Sequence, residues 1–223
     1  RRTCVHQKRF VSMEHQHFGA FVTTITPENW SGSLEIISAI DGDVDNSLVK
    51  RYRQLNNKHL TGLECGVSGG DIIWMQAETS QSRVSIAEAA RTRVMADGEV
   101  LDVERRNFQD EGRVGQVVKV PVKEGLPIRV EKICAIFTSK DRAISEPLLE
   151  AVKNVERVPD TNYLLKEHKD IWGALWERCG IHVETDQRMI AKILNLHIYH
   201  LLQTVSMNTI DLDTGVPPRG LHG

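Results

Sequence analysis

Paired cysteines are missing from this 223-residue chain: Cys4, Cys65, Cys134 and Cys179 stand far apart, with no CxxC spacing among them. That arrangement excludes a zinc ribbon, a thioredoxin-type motif and a disulfide framework, leaving four reduced structural thiols. Excess charge of either sign is missing too. Lys and Arg number 28 against 30 Asp and Glu, intermixed along the chain, for a net charge of −2. No electrostatic case for nucleic acid or an anionic membrane follows from such a balance, and a neutral small-molecule partner fits it better. Uninterrupted apolar runs are absent as well, because Arg188, Lys192, Asn195, His197 and His200 break up the most hydrophobic stretch and rule out a membrane span there. No secretory leader is recognisable at Arg1, and a start at Arg-Arg rather than Met reads as an incomplete or processed chain, expected in the cytoplasm. Aromatics make up only 5% of the residues, four of them tryptophans: Trp30, Trp74, Trp172 and Trp176.

The patterning changes character once. Up to about Ser139 the chain offers short alternating or β-branched runs at 9–13, 18–26, 34–40, 72–78, 83–95, 114–122 and 128–138. Turn signals separate them at Pro27-Glu28-Asn29, Asp41-Gly42-Asp43, Gly69-Gly70-Asp71, Asp97-Gly98-Glu99 and Lys123-Glu124-Gly125, which predicts an antiparallel β-sandwich. Beyond Ser139 the period becomes helical, with helices expected over 141–155, 163–177 and 186–205, and with Asp141 and Asp186 as N-terminal residues. The best linker is 156–162. In the last helix Ile190, Ile193, Leu194, Leu196, Ile198, Leu201, Leu202 and Val205 cover nearly the whole circumference, the pattern of a helix enclosed by neighbours.

Several clusters admit a chemical reading and a plainer one. Asp41, Asp43 and Asp45 match the first ligand positions of an EF-hand loop, but Asn46 replaces its turn glycine and Tyr52 its bidentate Glu, so a tight acidic turn is expected. His15 and His17 fall on one face if extended and lack a third ligand, which makes them solvent-facing strand histidines. His197 and His200 at i and i+3 could ligate a metal; no Glu or Cys completes a set, and buried, hydrogen-bonded histidines are expected instead. Trp172 and Trp176 sit four apart, the spacing of helix packing, while Trp30 lies in a turn where stacking on a sugar is conceivable. Asp211 and Asp213, with Arg219 and His222 close behind, resemble a carboxylate pair for glycosidic cleavage, yet a turn or helix-terminal role suits them equally.

Specific wording then narrows the choice. Leu196-His197-Ile198-Tyr199-His200-Leu201-Leu202-Gln203-Thr204, followed by Gly215-Val216-Pro217-Pro218-Arg219-Gly220-Leu221-His222-Gly223, resembles glycoside hydrolase family 65, the family of maltose, trehalose and kojibiose phosphorylases and acid trehalases. Arg9-Phe10-Val11-Ser12-Met13, Thr26-Pro27-Glu28-Asn29-Trp30-Ser31-Gly32, Ile40-Asp41-Gly42-Asp43-Val44-Asp45-Asn46 and Lys132-Ile133-Cys134-Ala135-Ile136-Phe137-Thr138-Ser139-Lys140-Asp141 look like further family segments in the family's order. Thr185 stands where many members have Gly, and Leu194-Asn195 replaces a more usual Leu-Arg.

The resemblance implies an architecture: a sandwich portion over 1–139, linker helices over 140–184, and the first helices of an (α/α)6 catalytic barrel over 185–223. It also implies a reaction. An inverting enzyme of this kind joins inorganic phosphate to glucose taken from an α-glucoside, with a Glu as general acid and no metal or redox cofactor. A hydrolase of the same family, and a non-catalytic carbohydrate-binding or dimerisation module, are the alternatives. The full-length protein is expected to be a homodimer. The resemblance places the acid Glu beyond Gly223, so no residue here is read as catalytic and this chain alone is expected to be inactive. Arg219, Gly220 and His222 are read as the margin of a substrate pocket.

Overall fold

The computed structural model describes residues 1–45, 57–142, 144–184 and 186–209. Ten strands come first: β1 (Thr3–Val11), β2 (Phe18–Pro27), β3 (Gly32–Asp41), β4 (Leu60–Ser68), β5 (Ile72–Thr79), β6 (Ser85–Ala96), β7 (Glu99–Val100), β8 (Arg105–Asp110), β9 (Arg113–Val122) and β10 (Ile128–Thr138). Three helices follow, α1 (Pro147–Arg157), α2 (Thr161–Cys179) and α3 (Arg188–Thr204), with a 3-10 turn at Met207–Thr209. One antiparallel sheet runs β1-β2-β10-β6-β5-β4 with β7 paired to the end of β6; the other is β3-β9-β8. The expected antiparallel sandwich followed by helices is what the chain forms.

The layers are helix, large sheet, small sheet. β6 and β10 run through the middle and are covered on both faces, so their burial is nearly continuous rather than alternating. Toward the helices, Ala87, Ala89 and Ala135 are fully buried, and their small side chains let α1 lie close across β6 and β10. α1 answers with a stripe of its own: Pro147, Ala151 and Val155, four residues apart, are its buried residues. Toward the small sheet, Ile40, Ile73, Met75, Ala90 and Val114 form one apolar cluster, and Val94, Val118, Val120, Val122 and Ile128 another.

Strands β4 and β8 carry no clear sequence signal, for physical reasons. β4 contains Gly62 in the left-handed region (φ 63°), and its register with β5 shifts between Thr61 and Glu64. Gly66 lies opposite Trp74, whose ring occupies the space a β-carbon would need. β8 (RRNFQD) has a single large apolar residue, Phe108, which seats on Gly115 of β9 at an edge. Both are edge strands whose partners supply the pattern they lack.

Two helix starts differ from expectation. α1 begins at Pro147 behind Glu146, not at Asp141, whose carboxylate instead accepts from the Thr138 backbone N–H at 2.6 Å and closes the turn after β10. Pro147 suits a first helical position because it has no N–H to leave unpaired. α3 follows Gln187 without a side-chain cap, so Asp186 is not its N-cap. Enclosure of α3 is also not observed: Met189, Ile190, Ile193, Leu196 and Leu201 are exposed, and Ile198 is its one buried large apolar residue among those described. Periodicity reports the apolar surface a helix offers, not how many neighbours cover it.

The stretch 156–162, expected as a linker, is held fast. Arg91 of β6, only 3% exposed, donates to the carbonyls of Glu156 (2.9 Å), Val158 and Pro159 (3.0 Å). Burial lowers the pKa of this guanidinium, with Arg93 acting in the same direction and Asp71, Glu131 and Asp160 opposing. Arg93 adds a bond to the Pro159 carbonyl while paired with Asp71. One strand further, the Glu131 carboxylate takes the Thr161 hydroxyl at 2.6 Å and the Arg129 guanidinium, and Asp160 caps α2 through the Tyr163 N–H at 2.8 Å. Arg91 therefore satisfies carbonyls at the C-terminal end of α1 that the helix leaves unpaired. Arg91→Met should cost about 2–3 kcal/mol in urea denaturation, because it strips donors from partly buried acceptors. Arg83→Ala, which removes an exposed ion pair with Glu78, should cost less than about 1 kcal/mol.

Candidate functional site

Between β1 and β2 the chain turns over Ser12–His17, and this turn lies against α2 and the end of α3. It is closed locally by Ser12 N–H donating to the Phe18 carbonyl (2.9 Å), Phe18 N–H to the His15 carbonyl (3.0 Å) and His15 N–H to the Ser12 hydroxyl (3.0 Å). His15 and His17 thus lie in a turn and not on a strand, because these bonds curl the backbone. The His15 ring packs beside Tyr163 and Phe18, and that of His17 stacks on Phe137 with centroids 3.8 Å apart. Neither is a free strand histidine.

Two bonds tie the turn to distant helical sequence. Met13 N–H donates to His168 Nδ1 of α2 (3.2 Å), and the Met13 carbonyl accepts from the Asn208 amide (2.9 Å). α3 leans on α2 through Trp172 and Tyr199, whose rings lie 4.9 Å apart, and Trp172 also neighbours Trp176 at 6.2 Å. The helix-packing role expected for Trp172 is thereby met, whereas Trp176 neighbours Trp172 within α2 itself. Gln203 donates to the Tyr199 hydroxyl at 2.7 Å.

Between these parts lies a groove of about 620 Å³, within the range of small-molecule sites. Its walls include Arg9 and Phe10 from β1, His17 from the turn, Thr138 and Asp141 after β10, and His168, Trp172, Tyr199 and Gln203 from the helices. His17 Nδ1 lies 2.8 Å from the Ile136 carbonyl, which fixes the proton there, and 4.0 Å from the Asp141 carboxylate. Its Nε2 is left as an acceptor, taken by the exposed Gln16 amide at 3.1 Å. Three of the family-like segments meet here: Arg9–Met13, the end of β10 with Asp141, and the helical run holding Tyr199 and Gln203. His168 lies outside every such segment, and no motif contains it.

The nominated pocket margin, Arg219, Gly220 and His222, lies outside the described residues, as do Asp211 and Asp213. His197 is exposed and His200 half-buried, so neither is a core histidine; α3 simply has too few neighbours to bury them. No group of three or more metal-ligating side chains occurs among the described residues. The four cysteines are unpaired. Asp43 of the acidic turn pairs with Lys58, and its N–H bonds the Asp41 carboxylate, the tight turn expected there; Asn46 and Tyr52 lie outside the described residues. Trp30 is half-buried, with its indole N–H donating to the Thr3 hydroxyl, and packs on the second apolar cluster rather than standing open. No described helix is long and apolar enough to cross a membrane.

A second cavity, about 340 Å³, opens between the sheets beside the free edge of β3. There Lys132 donates to the Ala39 carbonyl at 2.6 Å, and burial lowers its pKa. Burial raises those of Glu88 and Cys134 nearby. Lys132 fills a bonding position that a further strand would occupy, a structural task.

His168 gives the groove a pH dependence. Burial lowers its pKa below the ordinary 6.5, against a smaller opposing pull from the Val11 carbonyl. The neutral ring is also the form that can accept from Met13. Because the unfolded chain takes up this proton more readily, the stability contributed is complete above pH 6.5 and fades as the pH falls through it. Thermal melts from pH 7.5 to 5 should show a larger loss for the wild type than for His168→Gln.

Comparison with known proteins follows the same lines. A model of the glycosyl hydrolase family 65 N-terminal domain matches residues 1–175. An uncharacterized glycosyl hydrolase of Mycobacterium tuberculosis is 39% identical over 223 residues, which is all of this chain and 17% of that protein. The α,α-trehalose phosphorylase of Thermoanaerobacter brockii is 27% identical over 222 residues, 97% of this chain and 28% of the phosphorylase. Among solved structures, a candidate kojibiose phosphorylase from the human microbiome superposes with a TM-score of 0.62 at 8% identity, over 78% of this chain and 21% of that one. At that identity the superposition speaks for the fold alone. The chain spans about a sixth to a quarter of the length of these relatives.

Proposed function

Because the chain belongs to glycosyl hydrolase family 65, we propose that it is the β-sandwich and leading helices of an enzyme that cleaves an α-glucosyl disaccharide by inverting phosphorolysis. The observation that carries this reading is the match to trehalose phosphorylase along 97% of the chain, sandwich and helices alike. In the proposed reaction an oxygen of inorganic phosphate attacks the anomeric carbon as the glycosidic C–O bond breaks. A Glu outside this chain gives its proton to the departing oxygen, and β-glucose 1-phosphate and a free sugar result. Phosphate brings its own nucleophile, so one protein acid suffices where a hydrolase needs a second carboxylate to activate water. No metal or redox group enters this scheme.

The domain reading belongs to the same proposal: residues 1–139 form the sandwich, 140–184 the linker helices, and 185–223 open the catalytic barrel, with Arg219, Gly220 and His222 at the margin of its pocket. Homodimerisation and a cytoplasmic setting are parts of it as well. The 39%-identical relative carries the name of a hydrolase, which makes hydrolysis the second reading.

A phosphate titration of the full-length protein separates the two. Glucose 1-phosphate should form from maltose, trehalose, kojibiose or nigerose in proportion to phosphate occupancy, and glucose release should stop when phosphate is withdrawn. Undiminished glucose release without phosphate would establish the hydrolase. The 223-residue chain alone should turn over none of the four sugars.

A further inference from the structure

The groove at the β1–β2 turn is a site in its own right, and its chemistry is more specific than its volume. Its aromatic wall is the Trp172 and Tyr199 pair, tilted at 33° to each other with α2 and α3 at their backs. Facing it are groups of opposite hydrogen-bonding character. Arg9 is exposed, its guanidinium makes no hydrogen bond among the described residues, and it can only donate. Asp141 spends one carboxylate oxygen on the Thr138 N–H and hydroxyl, and its other oxygen can only accept. His17, with its proton directed at Ile136, offers Nε2 as an acceptor in place of the surface Gln16 amide.

We propose that this groove binds a neutral α-glucoside at a site that holds sugar without cleaving it. A hexose has an apolar face of C–H bonds to lay on Trp172 and Tyr199, and a rim of hydroxyls that both donate and accept, as Arg9, Asp141 and His17 require. The single acid and single guanidinium cancel in charge, which disfavours an anion at Asp141 and a cation at Arg9 alike. Among the described lining residues Asp141 is the one carboxylate, and its bonds from the Thr138 N–H and hydroxyl commit it to the turn after β10, so it is not free to serve as the single acid that phosphorolysis needs. The three family-like segments converge on this groove although each lies more than fifty residues from the next, so its walls are built from the most recognisable parts of the chain. The choice of glucosides among neutral sugars rests on the proposed function.

Isothermal titration of the 223-residue chain with maltose, trehalose, kojibiose and nigerose tests the site, with tryptophan fluorescence recorded in parallel. At least one disaccharide should bind saturably with a dissociation constant of about 1 mM. Arg9→Gln, an exposed change that removes no contact from the fold, should weaken it about tenfold through loss of a charge-assisted bond. Trp172→Leu should weaken it at least as much and abolish the fluorescence response, with circular dichroism confirming that α2 and α3 persist. Absence of saturable heat with all four sugars into the tens of millimolar overturns the proposal. So does unchanged affinity in Arg9→Gln, or a response to phosphate or glucose 1-phosphate but to no neutral sugar. Because the isolated chain reports binding and the full-length protein reports turnover, a failed phosphorolysis assay leaves this result standing, and a failed titration leaves phosphorolysis untouched.

Discussion

Everything on the helical side of this molecule depends on one guanidinium. Arg91 rises from the centre of the large sheet into a space that apolar packing alone would close, and binds three carbonyls where α1 ends and α2 begins. A buried cation is costly to desolvate, and the burial-lowered pKa of Arg91 records that cost. Carbonyl dipoles at a helix C-terminus, together with Asp71, Glu131 and Asp160 around it, offset it. In exchange the connection between the helices has a single position, because three acceptors fix both the depth and the direction of the loop. An apolar side chain in the same place would fill volume without specifying a position.

From that fixed point the remainder of the site follows geometrically. Asp160 and Thr161 start α2 beside Glu131, so the helix leaves the sheet at a defined place and carries His168 and Trp172 to the β1–β2 turn. α3 is located by its contact with Trp172 and by the bond from Asn208 to Met13. The large sheet outnumbers the small one seven strands to three. Its surplus on one face is covered by α1 and α2, and on the other it leaves the cleft where Lys132 reaches the edge of β3.

Legibility in the sequence followed burial. Strands with strongly apolar faces, such as β5, β6, β9 and β10, announce themselves, and the change of period near Ser139 coincides with the end of β10 at Thr138. β4 and β8 are silent because both are edge strands: β4 takes packing from Trp74 of β5 across Gly66, and β8 offers one large apolar side chain, Phe108, seated over Gly115 of β9. The helices are legible to within about two residues at every boundary but one, the start of α1, which lies at Pro147 and not near Asp141. Asp141 has the chemistry of an N-cap and uses it for a turn, since the choice between the two is made by where Pro147 permits a helix to begin. Of the groove, Arg9, Asp141 and Tyr199 lie in stretches that stand out as words, and His17 draws notice only through its neighbour His15, whereas His168 looks like any other polar residue on an amphipathic helix. Its role arises from a contact with Met13 across 155 positions, which no local pattern contains.

That contact bears on how the molecule is made. β1 and the turn after it are synthesised before the helices, and the partners that complete the turn, His168 and Asn208, are separated from Met13 by 155 and 195 residues. On a ribosome the sandwich can therefore close while the mouth of the groove remains unbuilt. Contacts of such long sequence separation carry a larger loop-closure cost than those within a hairpin, and the mouth of the groove is complete only once Trp172 has reached Tyr199 and Met13 is bonded on both sides.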